Sequence, residues 1–355
     1  MHQPNKPSPQ QPISVAINNH TRPAAIKPKR AVRPWLLMAV LLLLIALLVV
    51  REDLRTTALT SGQQAARYLT FELLGFSPRT VFVWRLRLAD LADRPLGQQW
   101  IKAVARADQQ PMQITQKLTT TRSFSSDEVV AHVYHLSLKQ GEQLLWQLNR
   151  LAPSTGQLYG SLEHQTCASA WSTVVELTAD GNVHRRMITQ SGNYRLVLQP
   201  ELFATINYSL AVAQGGSLPL PVIGAAQHDI GGGFGVARDG GTRAHHGVDI
   251  FAKKGTPVIA VADGKVRTGT GGLGGNYLWL SEGKFGFGGT RYYYAHLDDF
   301  AVASGDTVKQ GAILGYVGNT GNAKSTPPHL HFGVYAGGPI DPAPFLTAKP
   351  ILPKR

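Results

Sequence analysis

Cysteine, acidic residues and long apolar runs are all scarce in this chain of 355 residues. Cys167 is the one cysteine, so no disulfide can form within the chain. The cysteine count therefore fits both a reducing and an oxidising compartment. Asp and Glu total 22 against 35 Lys and Arg, which gives a formal net charge of +13 at pH 7. Such a basic chain suits an anionic partner. Nucleic acid, anionic lipid and a carboxylate-rich cell wall all qualify.

The N-terminal segment has no acidic residue before Glu52, and residues 1–33 are rich in Pro, Gln and Asn with scattered Lys and Arg. This composition cannot build a core, so it predicts a disordered basic tail. A nucleic-acid-binding tail is one interpretation. The segment that follows gives a better account of the charge, and we predict no nucleic-acid partner.

The one long apolar run extends from Trp35 to Val50 without a polar residue. As a helix it spans roughly 24 Å, slightly less than a hydrocarbon core of about 30 Å, and snorkelling of Arg33 and Arg51 can extend it. The rival interpretation is a cleavable signal peptide, but the leader is long and no clear A-x-A site follows. We predict a transmembrane signal anchor over residues 34–51. The basic leader keeps the N-terminus in the cytoplasm and places the rest of the chain outside it.

Residues 52–110 are predicted to form a helical stalk or linker. Gln98 to Ala107 indicates a helix with Pro95 near its start, whereas the stretch TVFVWRLRLADLA fits either a strand or a helix.

Residues 111–215 predict a small β-sandwich-like accessory domain, because short alternating stretches are separated by turn residues. In NYRLVLQ the alternation puts Tyr194, Leu196 and Leu198 on one face. Asp180-Gly181 predicts a hairpin turn between STVVELTA and NVHRRMIT. Four histidines of this domain lack the spacing of metal ligands and are interpreted as structural: His132, His135, His164 and His184.

Residues 216–346 predict an antiparallel β domain, since short strands alternate with Gly-containing turns after the Pro-rich connector SLPLPVIG. The stretch GGGFG is not followed by a helix, which excludes a phosphate-binding loop, but its glycines allow a loop to approach a metal closely. Residues 347–355 form a basic tail. The predicted fold is therefore mainly β, with one transmembrane helix.

Histidines and one aspartate recur in this domain at spacings that suit a single metal ion. His329 and His331 flank Leu330, so on a strand their imidazoles share one face. His245 and Asp249 would lie roughly 13 Å apart on a flat strand, so the chain must bend at Gly247 to bring them together.

Their residue types favour zinc. Zn²⁺ prefers imidazole nitrogen and carboxylate oxygen, and a catalytic site holds about three protein ligands plus a water. His296 follows the aromatic run from Tyr292 to Tyr294 and is expected at a strand end, beside the other histidines. Splitting an amide needs a Lewis acid, a bound water of lowered pKa and a group that moves protons, and this set supplies all of them.

The stretches HHGVDI, YAHL and TGNAKSTPPHLHF, in this order and spacing, resemble the LytM/lysostaphin-type zinc metallopeptidases, which hydrolyse peptide bonds in peptidoglycan. The resemblance implies a groove between sheets with one Zn²⁺ at its floor, held by His245, Asp249 and His331. It makes His296 and His329 the catalytic histidines that position and deprotonate the metal-bound water. A register slipped by one would use His246 instead. The family spacing of four favours His245 and leaves His246 as a supporting or surface residue.

The resulting expectation is a zinc-dependent endopeptidase that acts on peptidoglycan, with D,D-crosslinks favoured by analogy. It would be held in the inner membrane of a diderm bacterium by a single helix, with its catalytic domain in the periplasm. The alternative is a non-catalytic wall-binding protein that activates another hydrolase. That alternative is disfavoured because the three proposed zinc ligands and the two proposed catalytic histidines are all present. The sequence makes no prediction of oligomeric state.

Overall fold

The computed structural model describes residues 77–167, 170–283 and 289–353. The predicted N-terminal basic tail, the predicted signal anchor and the first part of the predicted stalk lie outside these residues. Among the helices of the described ranges, none is long and apolar enough to span a membrane. The described chain is mainly β, as the sequence predicts.

Two helices open the described chain: α1 (Pro78–Leu88) and α2 (Pro95–Ala107). The ambiguous stretch TVFVWRLRLADLA therefore begins as a helix, and the helix predicted after Pro95 is confirmed. A proline in the first turn suits both, because that position needs no N–H donor. Trp100 of α2 is buried, and its indole donates to the Pro200 carbonyl at 2.8 Å, which ties the helix to the following β domain.

The N-terminal β domain, residues 112–216, consists of two sheets. Its strands are β1 (Met112–Ile114), β2 (Lys117–Phe124), β3 (His132–Leu138), β4 (Glu142–Leu151), β5 (Leu158–Cys167), β6 (Ala170–Glu176), β7 (Asp180–Met187), β8 (Gly192–Pro200) and β9 (Ile206–Gly216). The first sheet has the order β1-β3-β8-β5-β6 and the second β2-β9-β4-β7. Residues of both sheets bury their apolar side chains in one shared core.

Two sequence-based expectations for this domain have different outcomes. Tyr194, Leu196 and Leu198 of β8 do share the buried face that points into the core. The predicted hairpin at Asp180-Gly181 is wrong, since β6 pairs with β5 in one sheet while β7 pairs with β4 in the other. The chain crosses between sheets there. A local turn signal cannot distinguish a hairpin from such a crossing, because the choice depends on which strands are already paired.

The C-terminal β domain, residues 217–353, contains twelve strands among the described residues. They are β10 (Ile230–Gly231), β11 (Ala237–Arg238), β12 (Arg243–Ala244), β13 (Val248–Phe251), β14 (Pro257–Ile259), β15 (Gly264–Gly271), β16 (Gly275–Glu282), β17 (Arg291–Phe300), β18 (Thr307–Val308), β19 (Ile313–Val317), β20 (His329–Tyr335) and β21 (Pro339–Ile340). The main sheet has the order β10-β13-β20-β17-β16-β15-β18, with antiparallel neighbours.

Alternation divides the central strands of this sheet into a buried face and an outer face. On β20, Leu330, Phe332 and Val334 are fully buried in the domain core. His329 and His331 occupy the alternate positions of the same strand and therefore point to the opposite face, as the sequence predicts. This arrangement leaves the outer face free for a site.

The two β domains meet through the connector and the C-terminal segment. The Ser217 hydroxyl donates to the Gly141 carbonyl at 2.6 Å, and the Gly216 N–H donates to the Ala348 carbonyl at 3.0 Å. The predicted connector is itself packed, since Leu218 and Val222 belong to the C-terminal core. It therefore joins the domains without a free linker.

Candidate metal centre

Three side chains meet at one point on the outer face of the C-terminal sheet. His245 precedes β13, Asp249 lies on β13, and His331 lies opposite Asp249 on β20. Asp249 Oδ1 is 3.1 Å from both His245 Nε2 and His331 Nδ1, and the two nitrogens are 2.9 Å apart. The three ligand atoms lie within 4.8 Å of one another, and no second such group occurs in the parts of the chain that the structure describes.

The hydrogen bonds and donor types of these three groups fit a divalent metal such as zinc. His245 Nδ1 donates to the Gly233 carbonyl at 2.9 Å, which leaves the Nε2 lone pair for a metal. Burial lowers the pKa of His331 and favours its neutral form. Burial alone would raise the pKa of Asp249, but its close contacts with His245 and His331 hold that pKa well below its usual range. Two imidazoles and one carboxylate are a zinc donor set.

The second oxygen of Asp249 is held by Arg238, a residue that the sequence analysis did not single out. Arg238 Nη2 donates to Asp249 Oδ2 at 2.7 Å, which fixes the carboxylate plane and leaves Oδ1 for the metal. Gly232 has a φ of +44°, and a Cβ there would collide with both groups. The glycine-rich loop thus approaches the triad closely, as expected. Arg238 lies on the two-residue strand β11, which is too short to show a periodic pattern, so the sequence gave no signal for its role.

His246 lies outside the triad. Its side chain is exposed, and its ring centroid is 6.5 Å from that of Phe234. The chain does bend at Gly247, but without a positive φ. Space is the reason for glycine there, because a Cβ would come within 2.8 Å of the His331 ring and 2.5 Å of the Phe332 carbonyl oxygen.

Two further histidines, His296 and His329, lie beside the triad, and each binds a backbone carbonyl through one ring nitrogen. His296 Nδ1 donates to the Thr320 carbonyl at 2.9 Å, and His329 Nδ1 donates to the Pro327 carbonyl at 2.8 Å. These bonds leave both Nε2 atoms as acceptors. His329 Nε2 is 3.9 Å from Asp249 Oδ1. The ring centroids of His296 and His329 are 5.0 Å apart. Burial and the adjacent imidazoles lower the pKa of His296 to about 4, so it is neutral at pH 7 and can accept a proton.

The backbone at His296 departs from the expected strand end. His296 lies within β17 and has a φ of +63°, uncommon for a residue other than glycine. Between Leu297 and Tyr294 the strand contains one residue more than the facing part of β16, which makes this a bulge. The bulge turns the imidazole toward the triad. Sequence alternation cannot predict it, since a bulge breaks the period.

A groove of about 900 Å³ runs over these residues. Near His329 it is lined by Phe251, Thr326 and Pro327, and in the opposite direction along β20 it reaches Tyr335. The groove is therefore long enough to hold an extended chain across the triad.

The histidines of the N-terminal β domain do not form a site. His132 Nδ1 is 2.6 Å from the Tyr208 hydroxyl, and burial lowers its pKa to about 4. His135 Nε2 is 2.7 Å from Asp108 Oδ1. The remaining two make their own local contacts: His164 with Tyr194, and His184 with Asp180.

Residues 243–342 match the model of Peptidase family M23. The matched range contains all three triad residues and both further histidines. Glycyl-glycine endopeptidase ALE-1 of Staphylococcus capitis is 45% identical over 111 residues, which cover 29% of this chain and 29% of that protein. The L-Ala--D-Glu endopeptidase of Bacillus subtilis is 34% identical over 146 residues, covering 37% of this chain and 43% of that protein.

A solved structure is similar over the same domain. The catalytic domain of lysostaphin from Staphylococcus simulans is 40% identical, with a TM-score of 0.29, and the match covers 33% of this chain and 90% of that one. The chain spans less than half the length of these curated relatives. The match to the family model and to these curated relatives concerns the C-terminal β domain, and it supports a peptidase there.

Proposed function

We propose that this chain is a zinc-dependent endopeptidase that hydrolyses peptide bonds in peptidoglycan. The observation that carries the proposal is the convergence of His245, Asp249 and His331 on one point, beside two histidines that line the same groove. Relatives named as endopeptidases that cut glycyl-glycine and L-Ala--D-Glu bonds support the reaction class.

The triad would hold one zinc ion, which supplies Lewis acidity and lowers the pKa of water when bound. His296 and His329 are proposed to act at their Nε2 atoms as proton acceptors, since their Nδ1 protons are committed to backbone carbonyls, and the proton taken from water would then be passed to the leaving amine. Arg238 keeps the Asp249 carboxylate oriented. The groove holds the peptide extended, so its carbonyl meets these groups without rearrangement.

D,D-crosslinks of a diderm wall remain the proposed bond. Another relative, DD-carboxypeptidase/endopeptidase Mpg of Neisseria meningitidis, is 38% identical over 112 residues, covering 31% of this chain and 24% of that protein. We further propose that residues 34–51 anchor the chain in the inner membrane, with the C-terminal domain in the periplasm. The part of the chain after the proposed anchor keeps a net positive charge, which suits a wall polymer that carries many carboxylates.

Digestion of purified sacculi by the full chain tests the proposal, with the released muropeptides identified by mass. We expect cleaved crosslinks, loss of activity with a chelator, and recovery with added zinc. Asp249→Ala is the matched control and should release nothing. A protein that binds zinc but releases no fragment from sacculi, and instead stimulates another hydrolase, would be the non-catalytic regulator.

A further inference from the structure

Four aromatic side chains line the groove as a connected cluster, which we call the aromatic platform: Tyr277, Trp279, Tyr293 and Tyr335. The ring centroids of Trp279 are 4.6 Å from those of Tyr293 and 5.0 Å from those of Tyr335, and Tyr277 is 5.7 Å from Tyr293. All four side chains are partly exposed. The role proposed for the triad and the further histidines leaves them unused.

The aromatic platform begins at the candidate metal centre and extends away from it. The Tyr293 ring centroid is 5.9 Å from that of His331, and Tyr335 lies four residues beyond His331 on β20. From His331 over Tyr293 to Trp279 the path equals about three residues of extended chain, at roughly 3.3–3.6 Å each. A ligand on the platform is therefore close to, but not at, the reacting bond.

Two of the rings lie over glycines of the sheet. A Cβ at Gly269 would come within 2.5 Å of the Tyr277 ring, and one at Gly333 within 2.9 Å of the Tyr335 ring. Cross-strand aromatic pairs such as Trp279 with Tyr293 do stabilise sheets. That role does not require four rings to be gathered along a solvent-open groove, on one side of the triad.

The chemistry of the aromatic platform favours an uncharged ring that carries hydroxyls. No member is charged, and one cation lies beside the platform: the Arg291 guanidinium is 5.2 Å from the Trp279 ring centroid. Aromatic faces carry partial negative charge and attract polarised C–H groups, such as those on one face of a pyranose. Three tyrosine hydroxyls and the guanidinium supply donors for sugar hydroxyls. A carboxylate-bearing peptide would instead need cations along the surface.

We propose that the aromatic platform binds a sugar ring of the glycan strand that carries the peptide being cut. The inference rests on the proposed function, because it names the part of the peptidoglycan that the groove recognises beside the scissile bond. It predicts that the enzyme discriminates between stem peptides that carry their sugars and the same peptides without them.

The test compares kcat/KM on two substrates: a crosslinked muropeptide with its disaccharides, and the same peptide after an amidase has removed them. The wild-type chain should prefer the sugar-bearing substrate by about tenfold or more. Trp279→Ala should bring the ratio of the two kcat/KM values close to one, and Tyr335→Ala should lower it in the same direction. The melting temperature of each variant confirms folding.

Trp171→Ala is the matched control. Trp171 of the N-terminal β domain also carries an arginine on its ring, since the Arg195 guanidinium is 4.3 Å from its centroid, but it lies outside the groove. This variant should keep the wild-type ratio.

Each other outcome overturns the inference in a distinct way. A wild-type ratio of one means that the groove does not recognise sugar, although the endopeptidase proposal stands. An equal loss on both substrates in Trp279→Ala means that the platform binds peptide. Loss of the preference in Trp171→Ala alone moves glycan binding to the N-terminal domain. Cleavage of neither substrate by the wild-type chain contradicts the proposed function itself.

Discussion

Thr320 holds the proposed general base His296 in place, and removing its hydroxyl should reduce turnover without removing the metal. Its carbonyl accepts from His296 Nδ1, and its hydroxyl donates to the Leu297 carbonyl and accepts from the Asn276 N–H, all at 2.9 Å. Thr320 therefore connects β16 and the bulge of β17 at the point where His296 takes its positive φ. The substitution Thr320→Val keeps the shape of the side chain but loses both hydroxyl bonds.

The expected magnitudes follow from those contacts. Two lost hydrogen bonds at about 0.5–1.5 kcal/mol each should lower the free energy of unfolding by about 1–3 kcal/mol. The His296 imidazole depends on the Thr320 carbonyl, and a displacement of about 1 Å should lower kcat by roughly tenfold to hundredfold. The zinc content and KM should change little, because Thr320 bonds to none of the three triad residues.

The assay is kcat and KM on a crosslinked muropeptide, with metal content and urea unfolding measured on the same preparations. Thr256→Val is the control for stability, since its hydroxyl donates to the Lys253 carbonyl at 2.7 Å in a turn of the same domain. Thr320→Ser keeps the hydroxyl and should restore most of kcat. If Thr320→Val and Thr256→Val have the same kcat, Thr320 is merely structural and the positioning role is refuted.

The histidine roles, one half-buried glutamate and the membrane topology can be tested as directly. His331→Ala should lose zinc and activity, whereas His329→Ala should keep most of its zinc while activity falls by roughly 10²-fold or more. Equal zinc loss in the two would show that these roles are misassigned. His245→Ala should emerge metal-free and His246→Ala should not, and metal analysis of both proteins side by side decides the register. Burial and a neighbouring carboxylate raise the pKa of Glu176 from 4.5 to about 7. The folded state then keeps a proton that the unfolded chain releases, so stability should fall as pH rises between these values, and Glu176→Gln should flatten that dependence in urea unfolding. A reporter that is active only outside the cytoplasm should be active when fused to the C-terminus, and a new N-terminus just after the apolar run would contradict the anchor.

The sequence predicted those parts of the site that follow from strand alternation and from motif spacing. His329 and His331 share a face because residues two positions apart on a regular strand do so. This prediction required no knowledge of the neighbouring strands. The mainly β character likewise follows from short alternating stretches. The separation of β6 and β7 into two sheets could not be predicted, since pairing partners are chosen by long-range packing rather than by a local turn.

The missed features have a common physical origin in the backbone. His296 and His329 are oriented by the carbonyls of Thr320 and Pro327, and a carbonyl is present at every residue, so residue identity carries no trace of it. The bulge at His296 is equally silent in the sequence, although it supplies the direction of the imidazole. Residue types in the sequence therefore indicate which side chains a site contains. The tautomer and the orientation of those side chains depend on backbone carbonyls that lie beside them only in the folded chain. For this reason Thr320→Val, which changes neither a metal ligand nor a proton-transfer group, is the more demanding test of the proposed mechanism than any histidine substitution.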